Sequence, residues 1–293
     1  MVSVLLILLS ALSLTFGGFW ALSVRKQRAE GATGPAVEKG WPTPEQLVIG
    51  FVTDFFDTLG IGNFAPTTSL FRLRRLLPDE LLPGTLNVGH ALPVITEALI
   101  FISIIEVAPW TLVLMIASAV AGSWFGAGYV AALPRRAIQI GLGLALLAAA
   151  GLMLMTQFGW FPPGGDTLGL SGYRLAIGLS GSILLGALMT LGVGYYAPCM
   201  ILVSLLGMNP KAAFPIMMGA CAFLMPVAGA RFVQRARYSL RPALGLCLGG
   251  IPGVLLAAYI VRSLELEVIR WLVLVVVFYT AISMLRPAGK GSK

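Results

Sequence analysis

Thr58-Leu59-Gly60-Ile61-Gly62-Asn63-Phe64-Ala65-Pro66 recurs as Thr190-Leu191-Gly192-Val193-Gly194-Tyr195-Tyr196-Ala197-Pro198. Six of the nine positions are identical, and the other three pair as Ile/Val, Asn/Tyr and Phe/Tyr. At the same offset of 132 residues, Pro83 matches Pro215. Both copies interrupt an apolar stretch, at about 46–77 and 173–206. Two Gly-x-Gly-x-x-Ala-Pro breaks at matching places mark a duplicated chain.

The surroundings are those of a membrane. Of 293 residues, 58% are hydrophobic and 11% are charged, against ~25% charged in soluble domains. Residues 1–24, 107–134, 137–165, 175–210, 212–230, 242–261 and 271–285 contain no Asp, Glu, Lys or Arg. A spanning helix needs ~20 mostly apolar residues. This composition excludes a soluble enzyme and a nucleic-acid binder, so the net charge of +8 reads as basic cytoplasmic loops. Uninterrupted helices are expected at 2–24, 84–105, 109–132, 137–157, 212–230, 242–261 and 268–286, with a linker at 25–45. Arg25, Lys26 and Arg28 follow the first helix rather than precede it. That order reads as a retained helix with its N-terminus outside, not as a cleaved signal peptide.

Charge then decides how the interrupted stretches run. Two full crossings would place Arg72, Arg74, Arg75, Arg135 and Arg136 outside, against the positive-inside rule. Two re-entrant hairpins, each turning at Gly-x-Gly and returning to its own side, leave only Arg174, Lys211, Arg262 and Arg270 outside among 20 Lys and Arg. Three crossings separate the hairpins, so the copies have inverted topology, as in many secondary transporters. The expected architecture is all-α and polytopic. One extra N-terminal helix precedes repeat 1 (46–157) and repeat 2 (173–286), each a hairpin followed by three spanning helices, with the C-terminus cytoplasmic.

At each tip glycine permits the turn, and Pro66 and Pro198 fall in the first turn of the returning helix. Two helix N-termini facing one another make an anion site. Its candidate residues are Thr58, Gly60, Gly62, Asn63, Thr67 and Thr68 in one copy. Thr190, Gly192, Gly194, Tyr195, Tyr196 and Cys199 are the candidates in the other. Small residues that let helices cross closely are the alternative account. It leaves the matched prolines and the charge distribution unexplained.

Ionisable groups within the apolar stretches are few and costly to bury. Asp57 is a candidate to carry a proton or coordinate a cation, or else to accept hydrogen bonds from the tip N–H groups. Asp54 lies three residues before it on the same helix face. His90 and Glu97 follow at helical spacing; they form either a proton relay with these carboxyls or plain interhelical hydrogen bonds. Met189, Met200, Met217, Met218 and Met225 read as apolar filler. Cys199, Cys221 and Cys247 read as buried thiols, and with a single histidine no metal or other cofactor is expected.

Asp57 to Thr68, Asp57-Thr58-Leu59-Gly60-Ile61-Gly62-Asn63-Phe64-Ala65-Pro66-Thr67-Thr68, with its weaker second copy, resembles the sulfite exporter TauE/SafE family of membrane permeases. The resemblance runs from about Pro44 to Leu285 and leaves out the first helix. It implies transport, mostly export, of sulfite, sulfoacetate or related sulfur-containing anions across a bacterial inner membrane, commonly coupled to protons. The extra N-terminal helix and the Asp54/Asp57 pair depart from the family's minimal pattern. Two rivals stand beside the transporter. An anion channel would share the inverted tips without coupling. An intramembrane enzyme using Asp54 and Asp57 as a dyad is disfavoured, because both sit on one helix and no HExxH motif accompanies them.

Overall fold

The structure, a computed structural model, describes residues 2–59, 61–101, 106–160, 162–260, 278, 281, 282 and 285. Gly60 and most of the helix expected at 268–286 lie outside them. Eleven α-helices occur among the described residues: α1 (Val2–Ala29), α2 (Pro44–Thr58), α3 (Phe64–Leu73), α4 (Leu82–Gly89), α5 (Ala91–Phe101), α6 (Pro109–Val130), α7 (Arg135–Gln157), α8 (Gly172–Met189), α9 (Tyr196–Leu205), α10 (Ala213–Gln234) and α11 (Leu240–Ile260). The described residues form no strand, only an isolated bridge between Thr167 and Met208. Six helices, α1, α6, α7, α8, α10 and α11, are long and apolar enough to cross a membrane. The chain is therefore an all-α protein of multi-pass membrane type.

Both interrupted stretches are helix pairs folded back on themselves. In the first, Thr43 and Gln46 cap α2 reciprocally, with Pro44 at its first position. This capping box fixes where the helix begins. The chain turns after Thr58 and returns as α3, whose end meets the start of α2 through the ion pair of Arg74 with Glu45. In the second, α8 runs to Met189 and α9 returns. The Arg174 guanidinium near the start of α8 donates to the Leu206 carbonyl just past α9, at 3.4 Å. Arg74 and Leu206 are themselves 132 residues apart. The return helices have 10 residues each, whereas α2 has 15 and α8 has 18.

Each outgoing arm packs on a helix from the other half of the chain. α2 lies against α11 and α8 against α6, and glycine makes both contacts close. A Cβ on Gly122 would stand 1.9 Å from the Ile183 carbonyl oxygen, and one on Gly186 would stand 2.1 Å from that of Ala119. On the other side, Cβ atoms on Gly249 and Gly253 would meet the carbonyl oxygens of Leu47 and Phe51 at 2.0 and 2.3 Å. Without glycine these backbones could not approach so nearly.

The span expected at 84–105 is broken in two. Pro93 has no N–H to give the Gly89 carbonyl, and the chain bends at His90 between α4 and α5. α10 occupies the centre, packed on α1, α4, α5, α6 and α9. The first helix is fastened to this centre. Trp20 Nε1–H donates to the Tyr238 hydroxyl at 3.0 Å, and Tyr238 donates to the Ala36 carbonyl at 3.1 Å.

Candidate functional site

The tips of the two helix pairs meet at one cavity. It is walled by Gly62, Asn63, Phe64 and Ala65 from the first and by Gly194, Tyr195, Tyr196 and Ala197 from the second. Its empty space is about 900 Å³, the open mouth included. The first intrahelical bonds are Thr67 N–H to the Asn63 carbonyl in α3 and Cys199 N–H to the Tyr195 carbonyl in α9, each 3.0 Å. The N–H groups of Phe64, Ala65, Tyr196 and Ala197 come before those bonds. Pro66 and Pro198 have none, and no side chain caps either helix. Each α-helix start carries about half a positive charge, so two such ends turn toward the same space. Among the described residues no Arg or Lys lines it, and the one acidic side chain in its lining is Asp57.

A glycine with positive φ stands in each turn. Gly62 has φ +87 and Gly192 has φ +118, a region open to glycine at little cost. Those two residues are not equivalents under the 132-residue offset, and the equivalent of Gly192 is Gly60, outside the described residues.

Behind the first tip lies a buried polar network. Asp54, Asn63, Thr67, His90 and Glu97 are almost fully excluded from solvent. His90 Nδ1 is 2.8 and 3.0 Å from the two Asp54 carboxylate oxygens, and Asn63 Nδ2–H donates to Asp54 Oδ1 at 2.8 Å. On the other side of the ring, His90 Nε2 lies 3.0 Å from the Thr67 hydroxyl. With the ring proton on Nδ1 facing the carboxylate, Nε2 accepts from that hydroxyl. Gly250 of α11 makes the room: a Cβ there would lie 2.0 Å from Asp54 Oδ2. The bend at His90 sets the ring between Asp54 and Thr67 instead of along a continuous helix.

A second polar group joins the halves. The Tyr196 hydroxyl donates to Glu97 Oε2 at 3.2 Å. The Asp57 carboxyl interacts with that of Glu97, and the Asn63 backbone N–H with Asp57. Asp57 therefore belongs both to the cavity wall and to the polar network.

The residues singled out in the sequence divide into three groups. Gly62, Asn63, Gly194, Tyr195, Tyr196 and Asp57 line the cavity. Thr58, Thr67, Thr68, Thr190, Gly192 and Cys199 are not part of that lining, and their polar groups turn inward. Thr58 and Thr190 donate to the carbonyls of Asp54 and Ala187 in their own helices, at 2.9 and 2.7 Å. The Thr68 hydroxyl is buried without a partner. Tyr195 faces the cavity with its ring, while its hydroxyl reaches Ser182 at 3.2 Å. Asp54, His90 and Glu97 form the third group, behind the wall.

Sequence reasoning passed over the wall contributed by α7. Ala149, Leu152, Met153 and Thr156 line the cavity at spacings of three, one and three, a single helix face. Such a face looks like any lipid-facing or packing stripe until a neighbour is known. Comparison with known protein families, with characterised proteins and with solved structures finds no match to this chain.

Proposed function

We propose that this chain is a secondary transporter of small anions, working by alternating access around the two helix tips. The observation that carries this is the convergence of two uncapped helix N-termini on one cavity that has no basic side chain among the described residues. Fixed N–H groups and helix ends attract an anion there without the deep well that a buried arginine would create.

The topology that supports the reading is an inverted repeat of re-entrant hairpins. Three features favour it: the ties between the ends of each pair, the exchanged packing of α2 on α11 and α8 on α6, and the Lys/Arg distribution. α6 and α11 are themselves equivalents under the 132-residue offset, so the two exchanged contacts are one interface made twice. In such folds substrate sites lie near the midplane, where discontinuous helices meet. The cavity extends along the C-terminal half of α7, the end expected outside.

Asp57 and Glu97 suit proton coupling. Two interacting carboxyl groups, with no cation among their described partners, form a place for one proton, since like charges at close range do not both ionise. A proton there and an anion at the helix ends attract each other, so they load together and cross nearly neutral. Sulfite and organosulfonates are the substrates implied by the resemblance of residues 57–68. Export from a bacterial cytoplasm, the implied direction, would with a co-loaded proton be driven by the substrate's own outward gradient and not by an inward proton gradient.

Purified protein in liposomes tests this directly. Sulfite, or a sulfonate such as sulfoacetate, should move against its gradient when protons are driven the same way, and Asp57→Asn should remove the dependence on the proton gradient. Flux that only dissipates gradients and ignores pH would make the protein a channel. Absence of flux for every sulfur oxyanion and sulfonate would overturn the substrate class.

A further inference from the structure

The second half of the cavity wall is rich in sulfur. Met217, Cys221 and Met225 are spaced four residues apart on α10, so they share one helix face. Cys221 and Met225 reach the cavity, where Met189 from the end of α8 and Met153 from α7 join them. Three helices thus deliver one thiol and three thioethers to the same space. The Cys221 thiol donates to the Met189 sulfur, with the two sulfur atoms 3.8 Å apart.

Methionine as adaptable filler accounts for bulk in this wall. It gives no reason for a thiol and thioethers to converge on a cavity that also holds a carboxyl. We propose that this wall is a binding site for a soft monovalent metal ion of the copper(I) class, with Cys221 and Met189 as its first ligands and Met225 as the third. Soft thiolate and thioether ligands select copper(I) over magnesium, calcium or manganese. Metal–sulfur bonds are ~2.3 Å long, so two sulfurs of a trigonal site stand ~4 Å apart. The observed 3.8 Å between Cys221 and Met189 fits that geometry without movement of either helix. The described residues contain no cluster of three or more His, Cys, Asp and Glu arranged for a metal; thioethers are what complete this site. The site uses different atoms from the helix N-termini, and it stands whether or not the cavity also takes an anion.

The test is a titration of the detergent-purified full chain with copper(I) alone, without oxygen and against a chromophoric chelator. One ion per chain should bind, and X-ray absorption should show a shell of sulfur at ~2.3 Å. Cys221→Ser and Met189→Leu should each weaken binding at least tenfold, while Cys247→Ser on α11 should leave it unchanged. Silver(I) repeats the measurement without redox chemistry. Met189→Leu keeps the side-chain volume, so it carries the test even if Cys221→Ser fails to fold. Tight binding retained in Met189→Leu, a shell of oxygen or nitrogen, or no binding by the unaltered chain would each overturn the proposal.

Discussion

His90 is held from both sides, and each hold has a different cost when broken. Asp54 takes Nδ1 and Thr67 takes Nε2, with no solvent at any of the three. Thr67→Val keeps the shape and removes the hydroxyl, leaving a buried ring nitrogen without a partner, which costs ~1–3 kcal/mol. Thr58→Val makes the same chemical change where the hydroxyl only bonds back to its own helix, and should cost less than ~1 kcal/mol. Thermal unfolding of both variants in detergent checks the difference, and Thr67→Ser should recover most of the loss. Equal effects would mean that the His90–Thr67 contact contributes nothing. The ionisable members of this network were legible in the sequence, because Asp54, Asp57, His90 and Glu97 stand out in apolar stretches. Their pairing was not. Asp54 and Asp57 look like partners from their spacing, yet Asp54 turns to His90 and Asp57 to Glu97, because α5 and α11 dictate where each carboxyl finds a donor or a gap. Thr58 and Thr190 looked like tip donors by position, but a threonine in a last helical turn has a carbonyl of its own helix within reach.

At the scale of elements, glycine decides which helices touch. Gly122 on α6 and Gly249 on α11 bring in α8 and α2, and their missing side chains are replaced by another backbone. Gly122→Ala would set a methyl group 1.9 Å from the Ile183 carbonyl oxygen. The helices must then separate, and overpacking of this kind costs ~1–3 kcal/mol. Gly17→Ala on α1, where nothing lies within 4 Å, should be neutral or stabilise by up to ~1 kcal/mol through helix propensity. The two variants compared by thermal unfolding separate close packing from propensity; a Gly122→Ala protein as stable as the original would remove glycine-mediated approach as the reason for the α6–α8 contact. Helices and their breaks were largely readable, since runs without charge and the Gly-x-Gly-x-x-Ala-Pro turns announce both. The bend at His90 could have been read from Pro93, four residues after Gly89. Within a long apolar run, however, proline inside a spanning helix is often tolerated, as Pro226 in α10 and Pro252 in α11 show. Which helix each arm meets was beyond reach, because small residues mark a close contact without naming the partner.

At the scale of the whole molecule the issue is which loops share a side of the membrane, and exposed loop residues can report it. Lys39 precedes the first helix pair and Arg75 follows it; Ser171 precedes the second and Lys211 follows it, and all four are exposed. The native thiols Cys199, Cys221 and Cys247 are buried, so a water-soluble maleimide should leave them silent and report only an introduced cysteine. If each pair re-enters, Lys39→Cys and Arg75→Cys label from one side, and Ser171→Cys and Lys211→Cys from the other. If α2 and α3 together crossed the membrane, Lys39→Cys and Arg75→Cys would label from opposite sides. Sealed vesicles of both orientations distinguish the outcomes. The contacts argue for re-entry, because the Arg74–Glu45 pair and the Arg174–Leu206 bond each close a helix pair at its base. A pair that crossed would have to part those ends by the ~30 Å of a hydrocarbon core. If both pairs re-enter with an odd number of crossings between them, the two pairs label from opposite sides, and the proposed inversion would account for two helix N-termini set against each other across one cavity.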